Sequence, residues 1–391
     1  MNIHRMVHLN RNNALLRMLA ALTFCLALLT VNGQAITVVD TEGQPISFVS
    51  VTNDNGALVG TTDLDGRLAD TKGNTRLHFS HVAFEPIVVN CDTLSQKRVV
   101  MTEINYALGD IEVKPKELAY VQTYYRLIYF DEDGPIYYRA GVIDNTYDFA
   151  THKVSSKTRS LAKGSSGFLR FIISTLVGRY IDRWGQLHET STYRRLLKSS
   201  KRGDIFITGD SLGHQTLSDT ISVLGYVDTD TAARRRTTSF DFWTLSKHQE
   251  ATKAAKKAAE DAAKGKTSKK KDKKDKNENE DDEGDNHSYY EVYAIDGEGR
   301  SRIDDFVMGQ FLVNGHHRSS GDTYTILLQC YATDRNYIDK SEYKQLRKDN
   351  KVDMNIFEIK QFEQGHNIPP MEAEIQAQID KLFEKELSKK K

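Results

Sequence analysis

Asp63-Leu64-Asp65-Gly66 spaces two carboxylates as the start of a calcium loop does. An EF-hand loop also needs further oxygen ligands and a glutamate at its twelfth position, and neither follows. The segment therefore reads as a turn. His316 and His317 are adjacent, so on a strand they point to opposite faces and cannot share one metal ion. They read as hairpin-loop residues. His366 precedes a double proline and reads as a fixture of chain direction rather than a proton carrier. Gly164-Ser165-Ser166-Gly167 has the composition of a nucleophile elbow but not its order, and reads as a turn. Neither a phosphate-binding loop nor a dinucleotide glycine pattern occurs. Carboxylates are numerous, so a glycosidase pair assembled in space stays open, but no two are singled out. The sequence thus assigns no catalytic, cofactor-binding or metal-ligating residue and no cofactor. The expectation is a protein that is not an enzyme.

The elements that would position any site are mostly strands. Ile36–Asp40, Phe48–Val51, Leu58–Thr62, Leu77–Ser80, Ile87–Val89 and Arg98–Met101 are short apolar or alternating runs. Asn55-Gly56 and Asp63–Gly66 separate some of them, and turn signals every ~8–12 residues mark a sandwich or barrel. Further on, Ala119–Tyr129 is rich in tyrosine, and Asp131–Gly134 turns the chain into Pro135–Asp144. Phe168–Tyr180 is apolar on both helical faces and reads as a buried helix. Residues 288–362 return to strand patterning, with Tyr289–Asp296, Phe306–Val313 and Tyr324–Tyr331 as strands and Asn314-Gly315 as a second hairpin turn. Met371, Ile375, Ile379, Leu382, Phe383 and Leu387 recur at spacings of three and four behind Pro370, which predicts a C-terminal amphipathic helix.

Two segments lie outside this pattern. Residues 249–287 read as a solvated, disordered charged insertion. Lys264–Asp285 carries eight lysines and eight acidic residues, sorted basic first. Such a run buries too little apolar surface to offset its ordering entropy. Its lack of aromatics and its cancelling charges argue against nucleic acid, as does a formal net charge of zero for the whole chain. At the other end, Arg5, Arg11 and Arg17 precede the apolar run Met18–Val31, and small residues follow at Gly33 and Ala35. A run of this length suits the h-region of a signal peptide, about 7–15 residues, better than a spanning helix. We expect residues 1–35 to be removed on export. Cys25 lies inside the apolar run behind Phe24, unlike a lipoprotein cysteine. Cys91 and Cys330 are expected to be small buried thiols rather than a long-range bridge.

Four pieces carry a family resemblance: Gly43-Gln44-Pro45-Ile46, Gly60–Gly66, Leu77–Phe84 and Leu108–Val113. In order and spacing they resemble the carboxypeptidase-regulatory-like domain, a transthyretin-like β-sandwich. The resemblance spans 36–113, about a fifth of the chain. It departs from the family at Ala83, where glycine is usual, and at Arg67-Leu68, where an aromatic often follows the turn. It implies a partner-holding or folding module of the kind that precedes varied C-terminal parts in envelope proteins of the Bacteroidota.

The expected fold class is mainly β: an N-terminal seven-stranded β-sandwich at 36–113, then a β-rich α+β domain at 118–391 closed by the amphipathic helix. The expected function is a non-enzymatic exported envelope protein, in the periplasm or at the outer-membrane surface, acting in binding or assembly. Its partner would be an envelope protein or an unknown ligand, with peripheral membrane association left open. One alternative is a carrier holding a lipid or other apolar ligand in a C-terminal half-barrel lined by residues such as Phe168, Phe171 and Phe311. Another is a glycan or peptide hydrolase.

Overall fold

The computed structural model describes residues 35–94, 97–106, 116–165, 187, 191–263, 287–316, 323–348 and 352–389. The expected signal peptide, the Leu108–Val113 piece, the Phe168–Tyr180 segment, His317 and most of the charged run lie outside these residues. The chain is mainly β, and its described strands form no closed barrel. No helix among the described residues is long and apolar enough to cross a membrane.

The first seven strands form two sheets. Strands β1 (Ile36–Val39), β4 (Arg67–Leu68) and β7 (Arg98–Val100) make one, in the order β4-β1-β7. Strands β2 (Ser50–Asn53), β3 (Leu58–Thr61), β5 (Arg76–His81) and β6 (Phe84–Asn90) make the other, in the order β3-β2-β5-β6. Alternation decides what lies between the two sheets. Ile36 and Val38 from one sheet meet Val51, Leu77 and Phe79 from the other, all buried. The Asp63–Gly66 segment is the turn that its residue types predict. The Asp63 carboxylate accepts from the backbone N–H groups of Asp65 and Arg67. Gly66 has φ +69°, and a Cβ there would sit 2.4 Å from the Val38 carbonyl oxygen.

The remaining eleven strands form one sheet. They are β8 (Leu118–Asp131), β9 (Gly134–Asp148), β10 (Lys153–Ser165), β11 (Phe206–Gly209), β12 (His214–Ser218), β13 (Val223–Asp230), β14 (Arg235–Asp241), β15 (Ser288–Ala294), β16 (Phe306–His316), β17 (Thr323–Ile338) and β18 (Val352–Asp353). Their order is β11-β12-β13-β14-β15-β16-β17-β8-β9-β10-β18. All neighbours are antiparallel except β10 and β18. Both faces of its centre are buried, and the period of two sorts the side chains. Tyr124, Ile128 and Phe130 of β8 join the sandwich core, whereas Val121, Tyr125, Leu127 and Tyr129 join a second core with Phe306, Phe311 and Leu328.

Among the described residues, five helices flank the sheet: α1 (Thr192–Arg202), α2 (Phe242–Ala263), α3 (Lys340–Lys348), α4 (Ile356–Gly365) and α5 (Ala373–Lys389). The C-terminal helix matches its expected stripe. Ile375, Ile379, Leu382 and Phe383 are buried against the sandwich-side core. Burial of such a side chain is worth roughly 1.5–3 kcal/mol. The stripe therefore holds α5 against the first face of the sheet. Sandwich, large sheet, α4 and α5 share one continuous apolar core.

Four expectations are corrected. Gly164-Ser165 is not a turn: both residues end β10, paired with Tyr138 and Tyr137. Asn314-Gly315 is not a turn: both residues lie inside β16, paired with Thr325 and Tyr324. The glycine serves close packing there, because a Cβ would lie 2.4 Å from the Tyr324 ring. Strand patterning does not continue to residue 362; α3 and α4 occupy much of 340–365, each opened by a side-chain cap at Asp339 and Asn355. The insertion read over 249–287 is narrower than that at both ends. Residues up to Ala263 continue α2, whose start is capped by the Asp241 carboxylate accepting from Thr244. Its Ala, Lys and Glu residues are strong helix formers, so an exposed helix persists without an apolar face. His287 is buried between the Phe242 and Phe311 rings.

Candidate functional site

A cleft of about 880 Å³ opens between the sandwich and the large sheet. The β2–β3 hairpin and the Asp63–Arg67 turn form one wall. The β8–β9 hairpin, the start of α2, and the ends of β16 and β17 form the other. Phe48, Phe130 and Leu312 contribute apolar surface. The polar lining mixes amides (Asn74, Asn314), hydroxyls (Thr61, Thr323), cations (Arg67, Lys72, Lys247) and carboxylates (Asp63, Asp131, Glu132, Asp241). Two further aromatics line it. Trp243 carries the Lys247 ammonium 4.1 Å from its ring centroid, and Tyr324 stacks on Tyr129 with centroids 5.4 Å apart.

The carboxylates are what a hydrolase would need, and their positions explain them otherwise. Asp63 and Asp241 cap the turn and the helix described above. Asp131 accepts from the N–H groups of Asp133 and Gly134 and so closes the β8–β9 hairpin. Glu132 accepts from the backbone and hydroxyl of Thr323 at 3.5 and 3.4 Å. Each acid lining the cleft is thus engaged by backbone N–H groups as a structural acceptor. His287 lines the cleft but is sandwiched between rings.

Of the residues weighed from sequence, Asp65 belongs to the turn and His316 ends β16. His366 caps α4, with Nδ1 2.9 Å from the Phe362 carbonyl oxygen and its ring stacked on Phe362. The structure does not bring these residues together. Phe311 does not line the cleft; it is 1 % exposed within the second core. Phe168 and Phe171 lie outside the described residues. Cys91 and Cys330 are not bridged to each other; Cys330 is buried as expected, whereas Cys91 is only half-buried. Burial pushes Cys330 up to about 12 and also raises Cys91, so neither is poised as a thiolate.

Sequence reasoning missed the buried polar groups. On the sandwich side of the large sheet, Arg126 is 2 % exposed and donates to Gln329 Oε1 at 2.8 Å and the Pro369 carbonyl at 2.9 Å; Glu363 lies 3.4 Å away. On the opposite face Glu291 accepts from the Tyr193 N–H, yet burial pushes its carboxyl up to about 7. His81 is buried edge-on against Tyr290, and burial lowers it to about 3. The outer face of β5 and β2, which alternation would give to water, is also buried: Ser50, Thr52, His78 and Ser80. There His78 meets Asp54, Glu372 and Glu374. Burial raises Glu372, and a hydrogen bond between the two glutamates raises it further while lowering Glu374. The residue pattern offers one signal for this cluster, a histidine on an outward strand position. The two glutamates read simply as acids at a helix start.

A scan against protein-family models matches none of them, and no curated protein matches the chain. Any functional reading therefore rests on the chemistry of the cleft and the buried groups.

Proposed function

We propose that the chain is a non-enzymatic exported binding protein of the cell envelope, and that its ligand is an extended polar one of glycan type held in the cleft between sandwich and sheet. The observation that carries this reading is the state of the lining carboxylates. All four are engaged as acceptors holding turns, a helix start and a neighbouring strand end, which leaves a surface of fixed acceptors, amides and hydroxyls beside two aromatic rings. Sugars are held by that combination: directional hydrogen bonds around the ring edge and an apolar platform against its face. The shared core supports a rigid cleft, since neither wall can swing without opening apolar surface. Export is supported by the charged and apolar pattern of the first 35 residues, and the sandwich by its resemblance to a partner-holding module.

The carrier alternative has less support, because the described aromatic proposed for its pocket is packed inside a core. The test is titration of the mature chain against soluble envelope glycans, followed by the same titration with Trp243→Ala and Asn314→Ala. Saturable binding weakened at least tenfold by both changes, with the glycan recovered intact, supports the proposal. Binding unaffected by both changes, no binding, or cleavage of the glycan rejects it.

A further inference from the structure

The buried cluster at the start of α5 has a geometry that hydrogen bonding leaves unexplained. His78 is fully buried on β5. Its Nε2 lies 2.7 Å from Oδ1 of Asp54, which is half exposed and also meets Arg76 at 3.2 Å. A carboxylate can only accept, so this contact places a proton on Nε2. The other ring nitrogen, Nδ1, is 2.7 Å from Glu372 Oε1 and 3.3 Å from Glu374 Oε2. Neither contact has the geometry of a hydrogen bond, and Nδ1 is a buried polar atom with no hydrogen-bond partner. A lone pair facing two carboxylates is repulsive, and a proton there would be expected to be donated. A cation between them removes the conflict.

We propose that His78 Nδ1, Glu372 and Glu374 bind a first-row divalent cation of the zinc class, with Asp54 acting as a positioning residue on Nε2. Glu372 Oε1 and Glu374 Oε2 converge on the same buried ring nitrogen, at 2.7 and 3.3 Å, the compactness a metal site needs. A neutral imidazole with carboxylates suits zinc and its neighbours better than calcium or magnesium, which prefer oxygen alone. A metal-bound histidine whose second nitrogen donates to a carboxylate is the usual supporting arrangement. Thr52 Oγ1 steadies the other oxygen of Glu372 at 3.3 Å, and Glu374, 29 % exposed, gives the ion a route in. The ion would clip the sandwich to the C-terminal helix, joining residues far apart in sequence, so binding would stabilise the folded chain.

The experiment uses the mature chain stripped with a chelator and titrated calorimetrically with Zn²⁺, then with Mg²⁺. The expected result is one equivalent of Zn²⁺ bound below micromolar, a raised melting temperature, no comparable Mg²⁺ binding, and a Co²⁺ derivative with visible ligand-field bands. Glu374→Gln, a conservative change at a partly exposed residue, is expected to weaken Zn²⁺ at least 100-fold while near-ultraviolet circular dichroism stays unchanged. Asp54→Asn is expected to weaken it by about 10–100-fold. Zn²⁺ bound only above 100 μM in the parent chain, or bound equally well by folded Glu374→Gln, overturns the proposal.

Discussion

Gln310, in the middle of the large sheet, donates its Nε2 proton to the backbone carbonyl of Phe48 in the sandwich at 2.8 Å. Its Oε1 accepts from the Val82 N–H at 3.2 Å and from Gln329 Nε2 at 3.0 Å. Phe48 has φ +61°, a left-handed conformation uncommon for a bulky residue. One buried amide thus satisfies two backbone groups of the sandwich at a point where its chain is strained, beneath a core that both parts share.

Gln310→Leu is expected to cost about 2–4 kcal/mol, because it leaves the Phe48 carbonyl and the Val82 N–H buried without partners. Urea unfolding should remain a single transition with a lower midpoint and an unchanged slope. A separate early transition of the sandwich would contradict the shared core, and a change within 0.5 kcal/mol would contradict the bond.

Arg126 and Glu363 pose a charge-balance question at the same interface. Arg126→Met removes the cationic partner of a glutamate that is itself 7 % exposed and keeps, among the described residues, only the Tyr124 hydroxyl, which donates to it at 2.7 Å. Breaking a buried pair from one side costs about 3–5 kcal/mol, whereas replacing both members by apolar residues is often close to neutral. The expected pattern is a large loss for Arg126→Met, and recovery of most of it in Arg126→Met combined with Glu363→Leu. Additive losses in the double variant would show that the two side chains act independently.

Gly315→Ala tests why Asn314-Gly315 lies in a strand. The new Cβ would meet the Tyr324 ring, which is held by stacking on Tyr129. Overpacking of this kind costs about 1–3 kcal/mol. Tyr324→Leu in the same chain is expected to recover much of it, read as melting temperature. If Gly315→Ala alone is neutral, the ring moves freely and the glycine has some other role.

These residues mark where the fold was legible from sequence and where it was not. Turns built on Asp63 and Gly66 and the stripe from Ile375 to Phe383 were readable because their causes are local: a side chain capping its own turn, and a helical period. The caps of α3 and α4 were equally local. Asp339 with Glu342, and Asn355 with Glu358, have capping-box spacing, and the strand reading passed over them. Asn314-Gly315 misled for the opposite reason, since its glycine answers to Tyr324 on the neighbouring strand. The polar clusters were illegible in principle. His78 and Glu372, like Arg126 and Glu363, meet only after the sheet has brought distant segments together, and no spacing records it.

Two buried titratable groups give the pH dependence a shape that variants can separate. His81, lowered by burial to about 3 from an ordinary 6.5, stays neutral in the fold while the unfolded chain takes up a proton. The unfolded state then binds more protons, so this group makes stability rise with pH between about 3 and 6.5. Glu291 has the opposite sign. Raised by burial to about 7 from 4.5, it keeps its proton in the fold while the unfolded chain loses it, so stability falls between about 4.5 and 7. Over pH 4.5–6.5 the two slopes oppose each other at about 1.4 kcal/mol per pH unit each, and they should nearly cancel. Glu291→Gln therefore exposes the histidine slope. Relative to the parent chain, its stability is expected to gain roughly 2–3 kcal/mol between pH 4.5 and 6.5. His81→Gln, which keeps an acceptor for the Ala83 N–H, should lose a similar amount over the same window. Urea unfolding of the three proteins at both pH values decides the matter: parallel pH profiles would mean that neither group differs in protonation between the folded and unfolded states.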